Sequence, residues 1–492
     1  MSFNPSIYEI NTRLWLKRFA NSKGPVTLEN IPSNYWDDFV KKGFDYVWLM
    51  GIWKTCDSVI DKYCFEEGLV KSYDRALKGW KREDIIGSPY AVDKYEPNPI
   101  IGTLKSLLEL KSQLNKKGIK LILDFVPNHF SADSSLIESN PDIFLEVDID
   151  TFKKDQYTFY QPQKNVNKYF AHGRDPFFPA WQDTAQVNFF SNDARSFLTK
   201  TLLALTKVCD GIRCDMAMLA LNNVFNNTWG GILLGNGFEF PKTEFWHDAI
   251  AAVKKERSDF VFIAEAYWDL EWKLQRLGFD YTYDKSLTDR LKFGNAKDIH
   301  EHLTAETEYQ KKSVRFIENH DEERAATVFG KDKSKAAAVI ISTVQGMHFY
   351  HDGQFEGKKI KLPVQLGREP DDPPLNGMKN FYDKLLSITS NEILKRGKWT
   401  LLSQESSYNN NKSFVNLLAW MWTFREEKRI VVVNYSDVVS TCRLKLDVRG
   451  YSEEFVITDL LNDQSYTRSA EEVYHHGLYI ELKPFQAHIF SF

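Results

Sequence analysis

Two hydrophobic rhythms alternate along the chain. Leu104, Leu107, Leu108 and Leu114 recur at helical spacing, which predicts a helix with one apolar face closed by Lys116, Lys117 and a glycine cap at Gly118. The run from Ile119 to Val126 follows, nearly all apolar, as expected of a strand buried on both sides. The same unit returns twice: Leu198, Leu202, Leu205 and Val208 before the strand at 211–216, then Phe245, Ile250 and Val253 before the strand at 260–265. Further strands are predicted at 46–50, 314–317 and 347–350. Helices alternating with buried strands make a parallel sheet, and this many units favour a closed (β/α)8 barrel over an open sheet.

Two stretches break the rhythm. Residues 130–190 hold no helix–strand unit, and a stretch that long should be a folded insertion. Its aromatics Tyr157, Tyr160, Tyr169, Phe177, Phe178 and Trp181 are expected to build the insertion's own core, with one or two facing a cleft. From about 396 the pattern turns to short alternating strands at 414–420, 429–434, 443–446, 455–459, 478–482 and 487–492, which predicts an appended antiparallel β-sandwich. The expected division is therefore 1–129 and 191–395 for the barrel, 130–190 for the insertion and 396–492 for the sandwich.

Composition narrows the class. The 492 residues carry 63 basic and 67 acidic side chains, a formal net charge of −4, so a nucleic-acid partner is not expected. No run approaches the roughly 18 apolar residues that a membrane span needs, and the N-terminal stretch does not read as a secretory signal. Cys56, Cys64, Cys209, Cys214 and Cys442 are too few for a disulfide framework and are expected as free thiols, which makes the cytoplasm the expected compartment. Aromatic residues reach 14%, with 13 Trp, and flat apolar rings suit a sugar-binding cleft.

Candidate chemistry follows from position. Asp124, Asp215, Glu265 and Asp321 each stand at or just past the C-terminal end of a predicted strand, and in a (β/α)8 barrel those ends converge on one face. Carboxylates crowded together push one another's pKa values apart, so one acid holds its proton while another is ionised. Glycoside hydrolysis needs such a pair, one group to protonate the leaving oxygen and one to attack the anomeric carbon.

Taken in order, Asp124-Phe-Val-Pro-Asn-His129, Gly211-Ile-Arg-Cys-Asp215, Phe262-Ile-Ala-Glu265 and Phe316-Ile-Glu-Asn-His-Asp321 resemble the four sequence regions of the α-amylase family, glycoside hydrolase family 13. The similarity extends to Gly87-Ser-Pro-Tyr90, Trp181-Gln-Asp-Thr184 and Gly346-Met-His-Phe-Tyr350, so it spans most of residues 6–390. It implies a retaining enzyme acting on α-linked oligo- or polysaccharides. Asp215 would be the nucleophile, kept ionised by Arg213; Glu265 the general acid/base; and Asp321 the third carboxylate gripping sugar hydroxyls. His129 and His320 would bind those hydroxyls, Tyr90 would be the platform under the sugar, and Asp124 would only hold the site together. His172, His348 and His351 are expected to be structural.

Departures from the family pattern matter as well. Met216-Ala-Met-Leu219 stands where many members have a Lys-His pair on the leaving-group side. Asn128 matches one calcium ligand, but alignment puts Gln186 where a ligating Asp is expected, and a neutral amide is the poorer ligand for a hard cation. No cofactor is expected to be required, no metal ligands are assigned, and calcium is disfavoured. The segment 362–374, rich in Pro and Asp, has no assigned role, and the sequence does not set an oligomeric state. Three rivals stand beside the hydrolase: a transglycosylase using the same residues, a catalytically silent carbohydrate-binding protein on the same fold, and a metal-dependent barrel enzyme. The intact Asp215, Glu265 and Asp321 argue against the second. The third lacks two close His plus a carboxylate on one element.

Overall fold

The computed structural model describes residues 4–20 and 26–492. Eight parallel strands close a barrel: β1 (Ser6–Asn11), β2 (Tyr46–Met50), β3 (Lys120–Phe125), β4 (Gly211–Cys214), β5 (Val261–Ala264), β6 (Tyr281–Tyr283), β7 (Ser313–Arg315) and β8 (Met347–His351). Neighbours in sequence are neighbours in space, and β1 pairs with both β2 and β8. The lumen is filled by Ile7, Tyr46, Trp48, Ile122, Ile263, Tyr283, Val314 and Phe349 among others, so the barrel is packed rather than hollow. At its closing seam Gly346 has φ +119°, and a Cβ there would stand 2.2 Å from the Ser313 carbonyl oxygen, so only glycine fits.

The helical units form where the periodicity places them. Helix α1 (Leu104–Lys116) starts at Thr103, whose hydroxyl accepts a hydrogen bond from the Ser106 amide at 3.1 Å. Its buried face is Leu107, Leu110 and Leu114, while Leu104 and Leu108 are exposed. The predicted stripe is therefore rotated towards Leu110, because barrel contact falls on the i, i+3, i+7 row. Helices α2 (Asn192–Leu205) and α3 (Phe245–Glu256) bury Leu198, Leu202 and Leu205, and Phe245, Ile250 and Val253, as expected; Val208 lies past the end of α2 and is half-buried. Strands β1 and β6 are not among the strands that the sequence predicts.

The insertion is folded around three short strands, Glu146–Val147, Phe159–Tyr160 and Tyr169–Ala171, while Thr184–Gln186 pairs with His129–Ser131 at the barrel rim. Its core is Phe144, Phe159, Tyr160 and Phe170, not all the aromatics expected there. Phe177 and Phe178, flanked by Pro176 and Pro179, are 68% and 65% exposed, and Tyr157 is exposed too. C-terminally, a six-stranded antiparallel sheet faces a three-stranded one. Alternation along Leu417–Phe424 splits its residues: Leu418, Trp420 and Trp422 pack on the barrel helices, Leu417 and Ala419 into the sandwich. The Trp422 indole donates to the Thr343 carbonyl at 2.7 Å, tying the sheet to the barrel.

Candidate active site

Arg213, the third residue of β4, organises the C-terminal face of the barrel. Its side chain is fully buried, walled by the rings of Trp48, Tyr90 and Tyr283 at 5.1, 5.5 and 5.7 Å. Nη1 donates to Asp215 Oδ1 at 2.6 Å, and Nη2 forms an ion pair with Glu265 Oε2 at 2.8 Å. Two carboxylates from adjacent strands thus ride on one guanidinium. Asp124, on β3, stands 3.8 Å from Nη1 and accepts a hydrogen bond from the Gly51 amide, a supporting position.

Glu265 receives two further donors, the Met216 amide at 2.7 Å and the Tyr267 hydroxyl at 2.8 Å. Burial dominates all the same and raises its pKa to about 7, against the pull of Arg213 and with help from Asp215 and Asp321. Asp124 is likewise raised to about 7 by burial. For Asp215 burial also outweighs Arg213 and raises the pKa above the ordinary carboxylate value, since one guanidinium is shared between two acids.

Asp321, after β7, behaves oppositely. Its side chain is half-exposed and its Oδ2 lies 2.9 Å from His320 Nε2; although burial opposes it, the His320 charge wins and lowers the pKa well below the carboxylate range. His320 Nε2 also meets the Tyr90 hydroxyl at 2.7 Å, and the two rings stack with centroids 5.4 Å apart. Its other nitrogen, Nδ1, is held by Glu9 of β1. The structure thus brings Asp215, Glu265, Asp321, Arg213, His320 and Tyr90 together. His129 stands apart: among the described residues no hydrogen bond or ion pair joins it to the three carboxylates, its ring lies 5.4 Å from that of Trp181, and burial lowers its pKa to about 4. Glu9 and Tyr267 were missed from the sequence, although a glutamate inside an otherwise apolar strand such as Ser6–Asn11 is a readable signal.

The family model for the alpha-amylase catalytic domain matches residues 43–372. The chain belongs to the α-amylase family. Alpha-amylase 3 of Dictyoglomus thermophilum is 23% identical over 405 residues, covering 73% of this chain and 76% of that protein. Among solved structures, the noncanonic maltogenic alpha-amylase AmyB from Thermotoga neapolitana superposes with a TM-score of 0.71 at 18% identity, covering 100% of this chain and 99% of that one. An alpha-amylase from Lactobacillus plantarum gives 0.66, also at 18% identity, covering 100% and 99%.

Three further features of this α-amylase-family chain bear on the site. First, the donor set at the family's calcium position does not suit a cation. Gln186 is fully buried, and its Nε2 donates to the Asn128 carbonyl at 2.8 Å, Asn128 Oδ1 at 3.0 Å and the Val187 carbonyl at 3.0 Å. An amide N–H group therefore faces the oxygens that a hard ion would require. Among the described residues no cluster of three or more His, Cys, Asp or Glu is arranged to hold a metal.

Second, the segment 362–374 is a strap. Arg13 donates to the Gly87 carbonyl at 2.9 Å and the Val364 carbonyl at 2.5 Å, the Ile86 amide bonds Gln365, and Arg368 grips Asp84 through two nitrogens at 2.8 Å each. These bonds fasten the loop that carries Tyr90. Third, the Met216-Ala-Met-Leu219 stretch forms a buried 3-10 turn. Beyond it Trp268 and Asp269 hold left-handed backbone, with φ of 64° and 59°, immediately after Glu265 and Tyr267. Phe177 of the insertion meets Trp268 edge-on at 4.9 Å, forming an aromatic rim beside the Glu265 loop.

Proposed function

We propose that the protein is a retaining glycosidase acting on α-linked glucosides of the oligo- or polysaccharide type. Asp215 attacks the anomeric carbon, Glu265 protonates the leaving oxygen and then activates water, and Asp321, His320, Arg213 and Tyr90 bind the sugar at the cleavage point. The carrying observation is the split within one carboxylate cluster: Glu265 is raised to about 7 and so holds a proton near neutrality, whereas Asp321 beside His320 stays ionised. Asp215 and Glu265 lie on the two terminal nitrogens of Arg213, a closeness that suits direct nucleophilic attack better than a water between them. His129, hydrogen-bonded to the Tyr90 backbone, would join His320 in binding the sugar's hydroxyls.

Transfer to a second sugar is the alternative, favoured by the Phe177–Trp268 rim, which offers an acceptor a stacking surface beside Glu265. All five cysteines are unpaired thiols, which supports the cytoplasm as the compartment, and no helix among the described residues is long and apolar enough to cross a membrane. The test is incubation with maltoheptaose, with products followed over time by proton NMR. Products released first as the α-anomer support retention, and longer oligosaccharides support transfer. A product formed first as the β-anomer contradicts the proposal.

A further inference from the structure

Glu9 lies on the lumen face of β1, on the same side as Ile7, in a layer otherwise built from Tyr, Trp, Ile, Val, Phe and Met. It is 0% exposed, and a lone carboxylate in such a place is costly unless it is paired. Oε1 is bound to His320 Nδ1, whereas Oε2 accepts no hydrogen bond among the described residues and has only His351 Nε2, 3.9 Å away. On the opposite side of the imidazole, Nε2 faces two oxygens, Asp321 Oδ2 at 2.9 Å and the Tyr90 hydroxyl at 2.7 Å. A neutral ring carries one N–H. With that proton on Nδ1 towards Glu9, Nε2 would turn a lone pair on the Asp321 carboxylate; with it on Nε2, Glu9 would face a lone pair. Only the doubly protonated ring satisfies both sides.

We propose that Glu9 is a positioning residue that holds His320 as an imidazolium, and through it fixes Asp321 as an ionised carboxylate against the sugar. The inference rests on reading the site as a glycosidase's. The groups facing this pair come from every neighbouring strand. They are Asp321 and Tyr90 against the ring, Asp124 and Asp215 across the cleft, and Arg213, Tyr283, His351 and Arg324 around Glu9. The three cations or potential cations near Glu9 do not replace it, because Arg213 is already shared by Asp215 and Glu265, and Arg324 and His351 are turned to Glu318.

The test uses Glu9→Gln, which keeps the shape and removes the charge. The substrate is α-glucosyl fluoride, whose leaving group needs no proton, so ionisation of Glu265 does not shape the alkaline side of the first step. The wild-type kcat/KM should stay level as pH rises from 6 to 9, as His320 keeps its charge. In Glu9→Gln it should begin to fall at a lower pH than in the wild type, since loss of a close opposite charge lowers a pKa by about 1–3 units. A Glu9→Gln profile of unchanged shape at reduced height marks Glu9 as merely structural and overturns the proposal. A second measurement needs neither folding of the variant nor turnover: nitrogen-15 NMR of histidine-labelled wild type, with His320 assigned by its loss in His320→Asn. Both ring nitrogens protonated across the same range is expected. A ring that loses its proton near the ordinary histidine value overturns the inference, and leaves the glycosidase reading to be judged by product analysis alone.

Discussion

Replacing Gln186 by Glu exchanges two N–H donors for a carboxylate oxygen where three acceptors already converge. In the wild type Nε2 serves the Asn128 carbonyl, Asn128 Oδ1 and the Val187 carbonyl, and the residue bridges the insertion's strand Thr184–Gln186 to the barrel-rim strand His129–Ser131. Leaving two buried acceptors unpaired costs about 1–3 kcal/mol each, before any repulsion from the new charge. With ~2–4 °C of midpoint per kcal/mol for domains of about 150–250 residues, and less for a larger barrel, the fall should be roughly 5–10 °C. The same change supplies the anionic oxygen a calcium ion would need. Thermal unfolding of both proteins, in EDTA and in millimolar calcium, separates the two cases. The wild type should move by less than about 2 °C between the two buffers, whereas Gln186→Glu should be destabilised in EDTA and recover in calcium. A wild-type midpoint that falls by about 10 °C in EDTA and returns with calcium would refute the reasoning, for the amide would then not be the group that joins insertion to barrel.

Glu265→Gln should retain the fold and lose ~10²–10⁴-fold in kcat/KM on substrates with poor leaving groups, with a far smaller loss in kcat/KM on α-glucosyl fluoride; equal losses on both would remove it from the acid role. The wild-type rate on maltoheptaose should decline as pH rises through about 7, where Glu265 gives up its proton, and decline again in acid as Asp215 gains one at a value above that of an ordinary aspartate. The two acids titrate as a pair, so the limbs belong to the cluster. The raised Glu265 also favours the folded state below its unfolded value of about 4.5, a contribution lost as pH rises through about 7, so stability should ease in the same direction; urea midpoints at pH 5 and pH 8 would show it. Arg13 is buried with only carbonyl partners, and burial lowers its pKa to about 10. Arg13→Met should therefore release the strap and raise KM several-fold by freeing the Tyr90 loop, and a KM equal to wild type would show that the strap does not position Tyr90.

How much of this was legible depended on whether one residue type can fill one job. A short, mostly apolar run leading into a carboxylate is readable, which is why β3, β4, β5 and the residues Asp124, Asp215 and Glu265 could be found from sequence. Three-residue β6 could not be found, because barrel closure, not local pattern, makes Tyr281–Tyr283 a strand. Arg213 was legible as the partner of Asp215, but its second acid and the partner of His320 were not. That Arg213 divides itself between two acids, and that His320 is claimed from below by Glu9, are facts about strands far apart in sequence. Phe177 and Phe178 were placed in the insertion's core because large aromatic residues are usually buried; their exposure follows from the backbone around Asp175, whose carboxylate caps both of their amides, at 2.7 and 2.9 Å. The strap at 362–374 has no regular secondary structure and is held by Arg13 on a carbonyl, Arg368 on Asp84 and backbone bonds to residues 84–86, which no periodicity reports.

The charges of the site then fit one account. Five acids, Glu9, Asp124, Asp215, Glu265 and Asp321, surround two cations, Arg213 and His320. Burial favours the protonated form of Asp124 and Glu265, each raised to about 7, whereas Asp321 beside His320 stays ionised. In the proposed reaction the transition state develops positive charge on the sugar, which an ionised Asp321 would stabilise while Glu265 supplied the leaving group's proton. If Glu9 were neutral and His320 lost its proton, Asp321 would lose its anchor. The carboxylate buried in β1 therefore bears on the reaction although it sits beneath His320, on the lumen side of the site.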